Sequence, residues 1–255
     1  MGDLDRARAY YDEALALTRE TGFRYQESFA LSNLGSNANH LGDYARAMRF
    51  IKEALAVARD IDNRIVESLC LNNMGTVAIN QGDFETAYFN YEKSLDVALD
   101  TGHRRMEASA STGLGHALIL LGDTTAGTQS LENGIRIRRE LGEVHLYESL
   151  AILAYAYFLV GSKDQVLPIL DEVLAYVEDD GQFYITEYGL RNSLYIIEIL
   201  QAYGDRRAGT VLDHAYHEFE TACDRIPDEP TRRAFREDVP YHRAISEKWV
   251  AAHAQ

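Results

Sequence analysis

The sequence predicts an all-α protein built from stacked antiparallel helix pairs. Three observations predict it. A corner phrase of the Gly-Asp type returns at Gly2, Gly42, Gly82, Gly122, Gly161 and Gly204, at intervals of about forty residues. A period of that size marks a repeat architecture, in which each unit buries its apolar face only against its neighbours. On both sides of the corners, apolar and small residues fall at helical spacing, while strand-like alternation appears over no useful length.

The clearest copy is LSNLGSNANHLGDY, residues 31–44, which returns as LNNMGTVAINQGDF, residues 71–84. Gly takes the left-handed conformation past a helix end without steric cost, and the following Asp suits the N-cap of the next helix. Each Gly-Asp therefore reads as a tight corner between two helices. Before the corner, Leu31, Leu34 and Ala38 share one helix face, as do Leu71, Met74 and Ala78 in the next copy. After it come Ala47, Ile51, Ala54 and Leu55, then Ala87, Tyr91, Ser94 and Leu95. Gly35, Gly75 and Gly115 precede their corners by seven residues; Ala47, Ala87, Gly127 and Gly209 follow theirs by five. Gly inside a helix costs about 0.5–1 kcal/mol relative to Ala, so its recurrence at a fixed place predicts that two helix backbones approach closely there.

The closing stretch differs in kind. Pro227 and Pro230 end one helix and open another over 231–237, and Pro240 opens a last one that ends near Ala251, with Trp249 as its anchor. The expected organisation is a repeat array over 1–223 and a helical capping segment over 224–255. About twelve or thirteen helices are expected in all. The first corner, at Gly2, lacks the helix that should precede it, which predicts an uncovered flank available for self-association.

Leu34-Gly35, Ala38, Gly42-Asp43-Tyr44, Ala47, Ile51 and Ala54 resemble the tetratricopeptide repeat (TPR) family, and so do Met74-Gly75, Ala78, Gly82-Asp83-Phe84, Ala87 and Tyr91. The third copy puts Gly127 and Gly134 where Ala is usual, and the fourth puts Val166 and Val173 there. The forty-residue unit is similar to the long variants in the helical tails of large bacterial regulators and in kinesin light chains. The resemblance implies a right-handed superhelical α-solenoid that binds a peptide or protein in its concave groove.

Composition bounds the function. There are 25 basic and 40 acidic side chains, a net charge of −15, which disfavours a nucleic-acid partner. Cys70 and Cys223 form no framework and read as reduced thiols of a cytoplasmic protein. No apolar run is long enough to span a membrane. The chain shows no GxxxxGK[ST], HExxH or GxSxG, so no enzyme, metal site or cofactor is expected. His214 and His217 lie three apart on one helix, but a solvated face is the plainer reading. Glu178-Asp179-Asp180 before Gly181 reads as a turn.

The expected binding surface is the first helix of each pair. Distance from the corner puts Ser32, Asn33, Ser36, Asn39 and His40 there, then Asn72, Asn73, Thr76 and Asn80, then Thr112 and His116. Farther along come Tyr155, Phe158, Arg191, Tyr195 and Glu198. The amides supply donors and acceptors for a peptide backbone, and the aromatics supply apolar contact area. The competing reading is that the asparagines bond neighbouring helices and the aromatics fill the space between helices. A small-ligand sensor and a structural self-association arm are the other functions left open.

Overall fold

The computed structural model describes residues 4–180 and 188–254, with side chains over 6–177 and 188–254. The expected corner at Gly2 and the turn at residue 181 lie outside the described residues, as do the side chains of 178–180. Among the described residues there are thirteen helices and no strand. They are α1 (Leu4–Thr21), α2 (Arg24–His40), α3 (Tyr44–Asp60), α4 (Arg64–Gln81), α5 (Phe84–Thr101), α6 (Arg104–Leu120), α7 (Thr124–Leu141), α8 (Leu146–Leu159), α9 (Lys163–Asp180), α10 (Gly189–Ala202), α11 (Arg207–Asp224), α12 (Glu229–Glu237) and α13 (Pro240–His253).

The corners form as the sequence dictates. Gly42, Gly82, Gly122, Gly161 and Gly204 all have positive φ, between 66° and 91°. Asp43, Asp83 and Asp123 then accept hydrogen bonds from the backbone N–H of Arg46, Thr86 and Ala126, at 2.9, 3.1 and 3.1 Å. A second series of turns, with its own forty-residue period, joins each pair to the next. It carries positive φ at Gly22, Asp62, Gly102 and Gly142. Asn63 and His103 cap α4 and α6, accepting from the N–H of Val66 and Met106.

Two compact units make up the described chain, one ending at Leu141 and the other beginning at Gly142. In the first, α1 to α7 alternate so that α2, α4 and α6 lie side by side. The small residues set how close the helices come. A Cβ on Gly115 would stand 2.7 Å from the Gly127 carbonyl oxygen, a genuine backbone-to-backbone approach between α6 and α7. Gly134 faces the Ala108 carbonyl oxygen in the same way, at 3.0 Å. This explains why the third copy carries glycine where alanine is usual. At Gly75 the neighbour is a ring instead: Tyr91 lies under both Gly75 and Gly113, and its hydroxyl meets the Thr76 hydroxyl at 3.0 Å. The expected approach at Gly209 does not occur, since nothing lies within 4 Å of a Cβ built there.

In the second unit, α8 packs on α9 and α10, and α10 on α11. Ile196, Ile197, Leu200 and Phe219 are fully buried. The closing helices complete this core. Phe235 of α12 stacks on Phe219 with ring centres 6.2 Å apart, and His242 of α13 packs on both. Trp249 anchors α13 as expected: it stacks on Tyr216 at 4.1 Å, and its indole N–H donates to Asp213 at 3.0 Å. Among the described residues, no helix is long and apolar enough to cross a membrane.

Candidate functional site

On α2 and α4 the amide side chains divide into two sets. One set ties helix to helix. Asn73 donates through Nδ2 to the Ser32 hydroxyl at 3.1 Å, and Asn80 donates to the Asn39 Oδ1 at 3.1 Å. Ser32, Asn39 and Asn80 are buried, as are Thr76 and His116. Thr76 is engaged by Tyr91. The other set stays half-buried along the same face: Asn33, Ser36 and His40 on α2, Asn72 on α4 and Thr112 on α6. The side-chain carbonyl oxygen of Asn72 accepts no hydrogen bond, and neither does that of Asn80. Side chains that bond between α2 and α4 thus lie beside others that stay half-buried on α2, α4 and α6.

In the second unit the aromatic residues come together on α8 and α10. Tyr155 stacks on Tyr195 with ring centres 4.2 Å apart, and Phe158 packs tilted against Tyr155 and edge-on to Tyr203. Burial pushes the Tyr195 hydroxyl up to about 12, and burial with the charge of Glu198 raises that of Tyr155. Both phenols therefore stay neutral donors near neutral pH. Glu198 is exposed at the edge of this cluster. Arg191 lies over the ring of Tyr188 at 4.5 Å, and its Nε and Nη1 are buried without a hydrogen-bond acceptor.

An open cleft of about 440 Å³ between α11 and α13 is lined by Asp213, Tyr216, His217, Glu220, Trp249 and His253. Its rings are engaged in holding α13, with Trp249 sandwiched between Tyr216 and His253. Among the described residues, no group of three or more His, Cys, Asp or Glu side chains is placed to hold a metal ion. Burial pushes both cysteine thiols up to about 12, so neither is a poised nucleophile.

A charged ladder that the sequence reading passed over recurs in each repeat of the first unit. Arg24, Arg64 and Arg104 each bind a glutamate three residues on, namely Glu27, Glu67 and Glu107, all three buried. The same arginines also reach across to Asp60, Asp100 and Glu140 at the end of the next helix, at 3.2, 3.7 and 2.8 Å. The signal was present as an Arg-x-x-Glu phrase with a forty-residue period.

Paired antiparallel helices with Gly-Asp corners and small residues at fixed depths define the class of helical-repeat, TPR-like proteins. Within that class the chain belongs to the family described as the MalT-like TPR region, whose pattern matches residues 1–221. No curated protein sequence matches it. Solved structures share the fold. BtubC (BKLC) from P. vanneervenii is similar, with a TM-score of 0.64 at 15% identity, over 88% of this chain and 94% of that one. The apo form of RapI gives a TM-score of 0.62 at 10% identity, over 94% and 98%. A Rap protein complexed with Competence and Sporulation Factor gives 0.59 at 15% identity, over 89% of this chain and 65% of that one.

Proposed function

We propose that this chain is a protein-interaction module that holds an extended peptide segment against the half-buried amides and hydroxyls of α2, α4 and α6. The observation that carries this reading is Asn72, which is half-buried on α4 and whose side-chain carbonyl oxygen, itself buried, accepts no hydrogen bond. A peptide backbone brings N–H groups that must be paired once taken from water, and an amide side chain pairs with them whatever the peptide's sequence. The Rap protein held in complex with Competence and Sporulation Factor shares the fold and supports partner binding. In this reading 224–255 caps the array of 1–223 by covering Phe219, and the chain has no catalytic role of its own.

The division of the amides supplies the test. Immobilised wild-type chain selects binders from a random octapeptide pool, and the binders are then measured against variants. Asn33→Ala with Asn72→Ala should weaken binding by roughly 1–3 kcal/mol per unsatisfied group and leave the melting temperature nearly unchanged. Asn80→Ala should lower the melting temperature instead, because it breaks a buried bond between α2 and α4. Unchanged binding by the Asn33/Asn72 double variant would refute this reading.

A second reading, self-association through α1, is favoured by Tyr10 and Leu17, which are 57% and 58% exposed. Sedimentation of Leu17→Glu beside the wild type separates the two: a concentration-dependent dimer that the variant abolishes would support it.

A further inference from the structure

We infer that α1 is a docking face for one amphipathic helix of a partner protein, a helix with a small residue seven positions before a Gly-Thr or Gly-Ser step. The face is separate from the amides of α2, α4 and α6, so it stands whether or not a peptide binds there.

The repeats of the first unit show what such a face takes. The helices α3, α5 and α7 each follow a Gly-Asp corner and pack on the helix that precedes it. Nine residues past the corner glycine stand Ile51, Tyr91 and Leu131, and twelve past it stand Ala54, Ser94 and Gly134. All six are buried. The preceding helix covers them with small residues. Gly35, Gly75 and Gly115 lie over Ile51, Tyr91 and Leu131. Seven residues before those glycines, Ser68 and Ser94 each donate to the other's backbone carbonyl, at 3.0 and 2.8 Å, and Ala108 meets Gly134.

The same positions recur on α1 without the same cover. Counted from Gly2 they are Tyr11 and Ala14, and both are only half-buried. Leu17 is 58% exposed, where the matching Val57, Val97 and Ile137 are 5%, 6% and 0% exposed. Tyr10, also exposed, falls with Ala14 and Leu17 at i, i+4 and i+7, one stripe along the helix. Apolar area left in water in this way gains from a partner that covers it.

Tyr11 narrows the choice of partner. Its counterpart is Tyr91, which α4 approaches closely because Gly75 has no side chain: a Cβ there would stand 2.9 Å from the ring. The next residue, Thr76, meets the Tyr91 hydroxyl at 3.0 Å. A helix seated on Tyr11 as α4 sits on Tyr91 needs glycine over the ring and a hydroxyl directly after it. Opposite Ala14 it needs a small residue, as Ser68 is opposite Ser94. A second copy of this chain does not supply that helix, because its own Gly35 and Gly75 are already turned to Ile51 and Tyr91.

A labelled peptide with the sequence of Arg64–Gln81, which contains Ser68 and Gly75-Thr76, serves as the probe, and the full chain is titrated into it while fluorescence anisotropy is read. Binding should be saturable. The peptide with Gly75→Leu should bind about tenfold or more weakly, and because that change is in the probe it leaves the chain's folding untouched. Leu17→Glu in the chain, at an exposed position, should weaken binding to a similar degree and leave the octapeptide binders of α2, α4 and α6 unaffected. With 15N-labelled wild-type chain, the largest amide shifts on adding the peptide should fall between Ala7 and Leu17.

No saturable binding, or equal binding of the two peptides, would overturn the inference. So would shifts centred on Asn33 and Asn72, which would put the probe among the amides instead. A concentration-dependent dimer that excess peptide does not dissociate would give the face to a second copy and overturn the inference as well. None of these results bears against the peptide reading.

Discussion

Up to Leu141, helices are held by small residues and by charge; beyond Gly142 they are held by rings. In the first unit, α6 and α7 touch backbone to backbone across Gly115 and Gly127, and the glutamates of the Arg-x-x-Glu ladder at Glu27 and Glu67 are also bound by Arg19 and Arg59 of the preceding helix. In the second unit the corresponding glycine, Gly209, faces open space, and the joints are filled by Tyr155–Tyr195, Tyr147–Tyr176 and Tyr216–Trp249 stacks. Close approach leaves no room for error, because a carbonyl oxygen cannot swing aside. Rings fill space and can repack. The same helix-pair plan therefore carries different sensitivities in its two halves.

The largest expected effect breaks the contrast at its sharpest point. Gly115→Leu should destabilise the chain by about 3 kcal/mol, at the upper end for overpacking, because its Cβ would meet the backbone of α7. Gly75→Leu should cost less, since the obstacle is the Tyr91 ring, which can rotate. Thermal unfolding of the two variants side by side gives the order, and the reverse order would undo the distinction between backbone and ring contacts. Next comes the ladder. Glu67→Ala removes a buried carboxylate bound by Arg59 and Arg64 and should cost roughly 1–3 kcal/mol in urea unfolding. A cost near zero would mean that the ladder is decorative.

Smaller effects sharpen the picture of the second unit. Gly209→Ala should stabilise by about 0.5–1 kcal/mol, the ordinary gain for an exposed helical glycine. A loss of stability there would reveal a close approach after all. The smallest effect is one of pH. Hydrogen bonds from Arg236 hold the Glu220 carboxyl below its usual value. A depressed carboxyl pKa contributes stability above the unfolded value, and that contribution is lost as pH falls through the folded one. Glu220→Gln should therefore cost about 0.5 kcal/mol at pH 7, the modest value of a solvent-screened pair, and less near pH 3. An equal cost at both values would assign the loss to packing.

The corners were legible because their chemistry is local: Gly supplies the positive φ and Asp the cap, whatever the rest of the chain does. The second series of turns was harder to see, because Asp62 stands where Gly22 and Gly102 stand in the other copies. Neither the amides nor the helix contacts could be sorted from residue type. Asn72 and Asn73 are the same residue at adjacent positions, separated by one step of about 100° around the helix. That step sends Asn73 to Ser32 and leaves the buried side-chain oxygen of Asn72 without a donor. The sequence reading placed a backbone contact at Gly75, where the structure has a tyrosine ring, because a glycine records only that space is needed and not what fills it.

The ladder has a consequence for how such chains change length. Excising 64–103 would bring Arg104 into the position of Arg64 and Glu107 into that of Glu67, so the new joint would keep the same charged pair. A whole repeat can thus be lost or gained without redesigning its neighbours. That freedom stops after Leu141, where His145 meets Glu148 at 3.3 Å in place of an arginine and the glutamate has slipped one residue out of phase. The stretch through Leu141 can change length by whole repeats and keep its joints, whereas the helices beyond it lack that shared charged pair.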